Sequence, residues 1–355
     1  MKRRTAMGGR LAALALLVLA MVGCQSTGTA GYLMHVTLGQ ARILLTQQKL
    51  DTLDRDLLNP AEQANLALLD DVRHFAKTVG LEVEGQYTQF YASDPSWAVW
   101  VLTASPVTAP VLHTWRFPVA GRVPYLGFFS RDRADAFRAV YRDQGYHTAL
   151  RTADAYSTLG WFDDPLFRAQ LDSERPDFAA TLFHELVHAT VYQAGASAWN
   201  ESVASFTESK LLDLYQRERG IFSARELSDQ VDRAHDSRLL KQAIGEVRAD
   251  IEALYIGQPE RYPHDVTAHI DAWRKTLAGR PWRRMDGARL SQRPWPVPSL
   301  LGMSLYDTGS EILEADWQAL SRGVNSVATM RAWLTQLRHC ASREAAYACF
   351  EAHKP

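Results

Sequence analysis

The run His184-Glu185-Leu186-Val187-His188, with Asn200-Glu201 shortly after it, limits the fold more than any other feature of this chain. On a helix, residues four apart lie one turn apart on one face, so both imidazoles can reach a single cation. The segment must therefore be helical for the pattern to mean anything. Glu185, next to the first histidine, then stands beside the cation rather than on it, where a general base belongs. Glu201 can supply an oxygen as third protein ligand and leave the fourth tetrahedral position to water. A structural zinc site closes that position, usually with cysteine, and no cysteine is near in the sequence. The pattern predicts one Zn2+ in an open, hydrolytic site.

Chance must be weighed. With 11 histidines in 355 residues, an accidental His-Glu-x-x-His would arise in roughly one chain in fifty. The surroundings argue against accident. Phe178, Leu182, Leu186, Val187 and Val191 give residues 177–193 the apolar content of a buried helix. Pro176 fits its start, and Ala194-Gly195-Ala196 fits its stop. Asn200 reads as the N-cap of a second helix, with Val203, Ala204 and Phe206 to pack. The short connection suits two antiparallel helices. Glu208, two turns beyond Glu201 on the same face, is the competing ligand, although a solvated or ligand-supporting role fits it better.

The residues after His188 (Ala189, Thr190, Val191, Tyr192, Gln193) lack the His-x-x-Gly-x-x-His extension of metzincins. The run from Asn200 to Phe206 resembles instead the Asn-Glu-x-x-Ala helix of gluzincins, the thermolysin-like group with a His, His, Glu zinc site. Two further segments carry a narrower resemblance: residues 119–129, Val-Ala-Gly-Arg-Val-Pro-Tyr-Leu-Gly-Phe-Phe, and residues 155–165, Ala-Tyr-Ser-Thr-Leu-Gly-Trp-Phe-Asp-Asp-Pro. In that order with the zinc motif, across roughly residues 31 to 215, they resemble a bacterial family of predicted aminopeptidases, a lipoprotein-like group of zinc peptidases. The resemblance implies hydrolysis of peptide bonds and a peptide substrate. The C-terminal third matches less well, since Pro296-Val297-Pro298-Ser299 stands where the family tends to carry an Asn-rich helix start before a tyrosine, here Tyr306. The Gly-x-Met-Glu-Asn element of well-known gluzincin aminopeptidases is also missing. Endopeptidase activity by the same chemistry is the alternative, and a non-catalytic zinc-binding envelope lipoprotein is the rival class. An intact Glu185 speaks against the latter.

Lys2, Arg3 and Arg4 precede an apolar run from Leu11 to Val22 that ends at Gly23-Cys24. A positive start with a short apolar core is a secretory signal, too short for a comfortable membrane span. Cys24 after Met21-Val22-Gly23 resembles a bacterial lipobox. This implies removal of residues 1–23, lipidation of Cys24, and a membrane partner reached through that lipid. Gln25 resembles an outer-membrane sorting signal, so the expected place is the bacterial cell envelope, on the outer membrane facing the periplasm. Residues 24–31 then form a flexible tether. Cys340 and Cys349 remain as an even pair, which an oxidising compartment permits to bridge if a turn brings them together; two buried thiols are the alternative.

A net charge of −1 gives no sign of a nucleic-acid partner. The only basic run beyond the signal, Arg280 to Arg284, is interleaved with Pro281 and Trp282 and reads as a loop. About 330 residues after the signal fit one large domain over 32–355. We read a mixed α/β part at 32–176, the zinc-helix pair at 177–215 and a mostly helical remainder at 216–355. The fold class is mainly α with a smaller β component (α+β), with the gluzincin-like helix pair set in a helical domain. Residues 32–80 read as two or three helices, 86–124 as strands, 131–147 as a helix and 148–158 as a strand. A helix from Asp236 to Leu254 is followed by another to Leu277, and 279–302, rich in Pro, Gly, Trp and Arg, reads as a long loop.

Hydrolysis needs a donor for the charge developing on the substrate's oxygen. Tyr156, Tyr125, Tyr192 and Tyr306 are candidates, with His235, His264 and His269 also available. Tyr156 lies in the most distinctive motif, and packing is the competing role. Tyr192, one turn past His188 on the same helix, suits support of a ligand or packing. Asp163 or Asp164 could orient a zinc-binding histidine or take a substrate's free amino group; Asp-Asp-Pro is also good turn chemistry.

Overall fold

Helix caps and buried apolar faces account for most of the architecture in this computed structural model, which describes residues 29–92, 99–117, 121–152, 164–303 and 310–341. Helix α1 (Thr29–Thr46) leads into β1 (Gln48–Lys49) and two short 3-10 turns. The expected tether, 24–31, thus overlaps the first turn of α1. Helix α2 (Pro60–Val79) starts on a reciprocal cap. Asn59 and Glu62 each accept the other's backbone N–H through their side chains, Pro60 fills the first turn, and Gly80 at φ 99° ends the helix.

Three small sheets follow among the described residues. β2 (Gln89–Tyr91) pairs with β1 and with the distant β8 (Leu166–Phe167). β3 (Trp100–Pro106) is central to the second sheet, with β6 (Leu126–Phe128) and β7 (Tyr146–Thr152) antiparallel on either side. β4 (Trp115–Phe117) and β5 (Gly121–Val123) form a separate hairpin. Helix α3 (Arg131–Asp143) packs on β3 and β7 and stops before Gly145, whose φ of 80° turns the chain into β7. β7 begins two residues earlier than its composition suggested.

After the single-turn α4 (Arg168–Leu171) come α5 (Arg175–Thr190) and α6 (Ser197–Arg219), which pack along each other. Leu182, Phe183, Leu186 and Val187 are all fully buried on α5, so most of that helix faces the core. Burying each such side chain contributes about 1.5–3 kcal/mol. The main core joins α2, α5 and α6 to the C-terminal helices α11 (Ser310–Ser321) and α12 (Val327–Ala341). Phe75, Phe183 and Tyr215 interlock by ring contacts, and the Tyr215 hydroxyl donates to Asp71 at 2.6 Å. Asn65 on α2 donates to the carbonyls of Leu171 and Ser173, holding the turn that starts α5.

The long α7 (Ala224–Gly257), α8 (Tyr262–Thr276), α9 (Gly287–Gln292) and α10 (Val297–Met303) build a second core around Ile244, Val266, Trp273 and Trp295. Residues 279–302 are therefore not the long loop their composition suggested. Asp286 caps α9 through the Arg289 N–H, and Pro298 sits at the start of α10, where its missing N–H costs nothing. Trp295, Val297 and Leu300 are buried. The basic run is held internally: Arg280 pairs with Glu246, Arg283 with Asp232 and Arg284 with Asp229, all on α7. Among the described residues, no helix is long and apolar enough to cross a membrane. Cys340 is buried and disulfide-bonded, while Cys349 and Cys24 lie outside the described residues.

Candidate metal centre

The α5 helix carries His184 and His188 one turn apart, and their Nε2 atoms face each other at 3.1 Å. Glu201, in the first turns of α6, approaches from across the helix pair. Its Oε2 lies 3.5 Å from His184 Nε2 and its Oε1 3.7 Å from His188 Nε2. Donors around one tetrahedral zinc, each about 2.0–2.1 Å from it, stand roughly 3.3 Å from one another. The three side chains thus converge as ligands of one ion do, with one donor atom from each within 4.8 Å of the others. They form the only such His, Cys, Asp or Glu group among the described residues. Two neutral imidazoles and a carboxylate are a suitable zinc donor set.

The connection between the helices explains how Glu201 arrives there, and it departs from expectation. Helix α5 ends at Thr190, and Val191 is already extended, so Tyr192 is not one turn further along the helix. Asn200 does not cap α6, which begins at Ser197. Instead its side chain closes on the turn itself: Oδ1 accepts the Gln193 N–H at 2.9 Å and Nδ2 donates to the Gln193 carbonyl at 2.8 Å. This two-point clasp sets the offset between the helices. The hairpin presses on the same turn. A Cβ on Gly121, at φ 72°, would sit 3.1 Å from Gly195 Cα, so only glycine lets β5 come so close.

Glu208 stands on the other side of His184. Its Oε2 lies 3.0 Å from His184 Nδ1, leaving Nε2 for the cluster. A carboxylate so placed fixes ring orientation and raises ligand basicity. Glu208 is therefore a support for a ligand rather than the competing ligand. Burial opposes charge on His184, but Glu201, Glu208 and Glu185 together outweigh it and push the pKa up. Burial and the neighbouring His184 push His188 down. Burial also opposes charge on Glu201, yet both histidines and Arg151 hold its carboxyl below the usual range. Glu185 is partly exposed beside His184.

Tyr192 is half-buried, and burial together with the charge of Glu201 raises its hydroxyl pKa, so it stays protonated. Asp164 is buried and not part of the metal cluster, its backbone tied to Gln86 and Tyr87. Tyr156 and Asp163 lie outside the described residues, as does Tyr306. Tyr125 lies between β5 and β6, His235 is bonded to Asp236 on α7, and His264 and His269 lie on α8; the metal cluster includes none of them. Sequence reasoning missed Tyr87. It is fully buried at φ 54°, with burial, Glu185 and Asp164 raising its hydroxyl pKa well above its ordinary value. No local pattern marks it, because a main-chain bond to Asp164, far along the sequence, places it there.

A mainly helical fold with a His-His-Glu cluster on a packed helix pair defines the class: a thermolysin-like zinc site. A family model described as "Putative aminopeptidase" matches residues 31–346, and the chain belongs to that family. No curated protein and no solved structure matches it. Family and donor set together support a zinc-dependent metallopeptidase acting on peptides.

Proposed function

We propose that this protein removes residues from the free amino end of peptides, with Glu185 as general base and His184, His188 and Glu201 as the ligands of one zinc ion. The observation that carries this reading is the convergence of those three side chains beside an intact glutamate, within a chain of the aminopeptidase family. Zinc held there supplies a Lewis acid that polarises the scissile carbonyl and makes water nucleophilic near neutral pH. Glu185 takes the proton of the attacking water and passes it to the departing amine. Glu208 keeps His184 in the tautomer that presents Nε2. We assign the sharing of charge on the substrate's oxygen to the Tyr192 hydroxyl, which stays protonated in the field of Glu201.

We further propose that the protein works in the bacterial envelope, anchored by lipid on Cys24 after loss of residues 1–23. The charged start, short apolar run and lipobox-like cysteine support this. A Cys24→Ser variant should leave the membrane fraction. Retention there would remove the anchor.

The test of chain-end preference is a mixed peptide library presented with free and with acetylated amino termini. Free termini should be trimmed and acetylated ones spared. Internal cuts at equal rates in both sets would make the enzyme an endopeptidase.

A further inference from the structure

An opening of about 400 Å³ lies between α2 and the β1–β2 pair. It contains none of the three metal-ligating residues, although Tyr87, which lines it, lies in the field of Glu185. One face of α2 lines it through Leu66, Leu69, Asp70 and Arg73, the i, i+3, i+4, i+7 positions of a single stripe. Leu66 and Leu69 are buried and give an apolar floor, and the buried Tyr87 ring adds to it. Lys49 and Arg55 stand exposed at the opening.

Arg73 is the informative residue. Its side chain is about three-quarters covered, with a relative exposure of 24%, and its Nε is buried with no hydrogen-bond partner among the described residues. Its ion pair with Asp70 spans 3.9 Å, and Asp70 is itself 86% exposed. Buried guanidinium N–H groups are normally matched by an acceptor. Arg73 also lines the opening.

We propose that this pocket binds a small amphipathic carboxylate, with the carboxylate on Arg73 and Lys49 and the apolar part on Leu66, Leu69 and Tyr87. A guanidinium fork matches the two oxygens of a carboxylate. Three cations (Lys49, Arg55, Arg73) against two acids (Asp51, Asp70) leave the lining only mildly positive, which suits a monoanion better than a dianion. The leucine floor requires a hydrocarbon portion. The volume is at the lower end of the roughly 300–1,000 Å³ of small-molecule sites.

The test is calorimetric titration of the purified protein with N-acetyl-L-leucine and with its uncharged amide, before and after metal removal. The acid should bind saturably, unaffected by metal removal, and the amide roughly tenfold or more weaker. Arg73→Met should lose affinity for the acid by a similar factor. If that variant does not fold, Lys49→Met, at an exposed position, should still weaken the acid and spare the amide. Several results would overturn the proposal: acid and amide binding alike, unchanged affinity in the variant that folds, or no saturation up to about 10 mM. Loss of binding with the metal would do the same, since it would place the ligand at the zinc site. Inorganic phosphate binding as well as the acid would overturn the assigned class.

Discussion

Two carboxylates of this chain, the buried Asp236 and the half-buried Glu201, sit in opposite kinds of surroundings. Asp236 on α7 has no exposed surface and is fully matched from within. It accepts the backbone N–H groups of Arg283, Arg284 and Met285 at 2.9, 2.7 and 2.7 Å, and His235 stands 3.1 Å away. Glu201 instead faces two imidazole nitrogens across gaps of 3.5 and 3.7 Å, too long for good hydrogen bonds. Asp236 closes a loop onto a helix, and nothing is left for a ligand to satisfy. At Glu201 the three side chains converge on one shared centre. A carboxylate matched by backbone N–H groups is architecture; two imidazoles and a carboxylate that converge within 4.8 Å are a donor set for an ion.

Substitutions should separate the two regions cleanly. The largest effect should come from Glu185→Gln, which keeps shape and removes the base. Peptide hydrolysis should fall by about 10³-fold or more while zinc content and melting temperature hold. Undiminished turnover would take the base role from Glu185. Next, Glu201→Ala should abolish stoichiometric zinc. Glu208→Gln should weaken zinc by only about 10–100-fold, as expected for a group acting through His184. The reverse order would exchange the two glutamates.

The Asp236 side predicts lost stability with chemistry intact. Asp236→Ala strands three N–H groups at once and should cost on the order of 3 kcal/mol in denaturant unfolding, with zinc content unchanged. Burial alone would raise the Asp236 carboxyl, but those N–H groups outweigh it and hold its pKa well below the ordinary 3.8. A depressed folded value means that its contribution is complete above about pH 4 and is lost as pH falls below that. The stability gap between wild type and Asp236→Asn should therefore shrink on acidification below about pH 4. A gap that widens there would contradict this electrostatic account. Smallest is Asn200→Ala, expected to cost about 1–2 kcal/mol and to lower zinc affinity modestly by loosening the turn that sets Glu201. Unchanged zinc affinity would mean that packing alone sets the helix offset.

The contrast also shows what the sequence could reveal. His184, His188 and Glu201 were readable because helical period and a short connection bring them together under any packing of that pair. Glu208 was ambiguous, since spacing cannot say whether a carboxylate meets the ion or the outer nitrogen of its ligand. Asn200 misled because a cap and a clasp use the same amide; only the three-dimensional turn tells them apart. In residues 279–302 the Pro and Gly content points to a loop, whereas Pro298 begins a helix and Trp295 and Leu300 anchor it. Tyr87 and Asp236 were invisible, each placed by main-chain partners that no local pattern foretells.

The central claim is that His184, His188 and Glu201 share one zinc ion. X-ray absorption at the zinc edge, on protein loaded with one equivalent, tests it most directly. The account predicts two imidazole nitrogens and carboxylate oxygen at roughly 2.0–2.2 Å, no sulfur, and collapse of that signature in Glu201→Ala. A sulfur shell, or an unchanged spectrum in that variant, would contradict it.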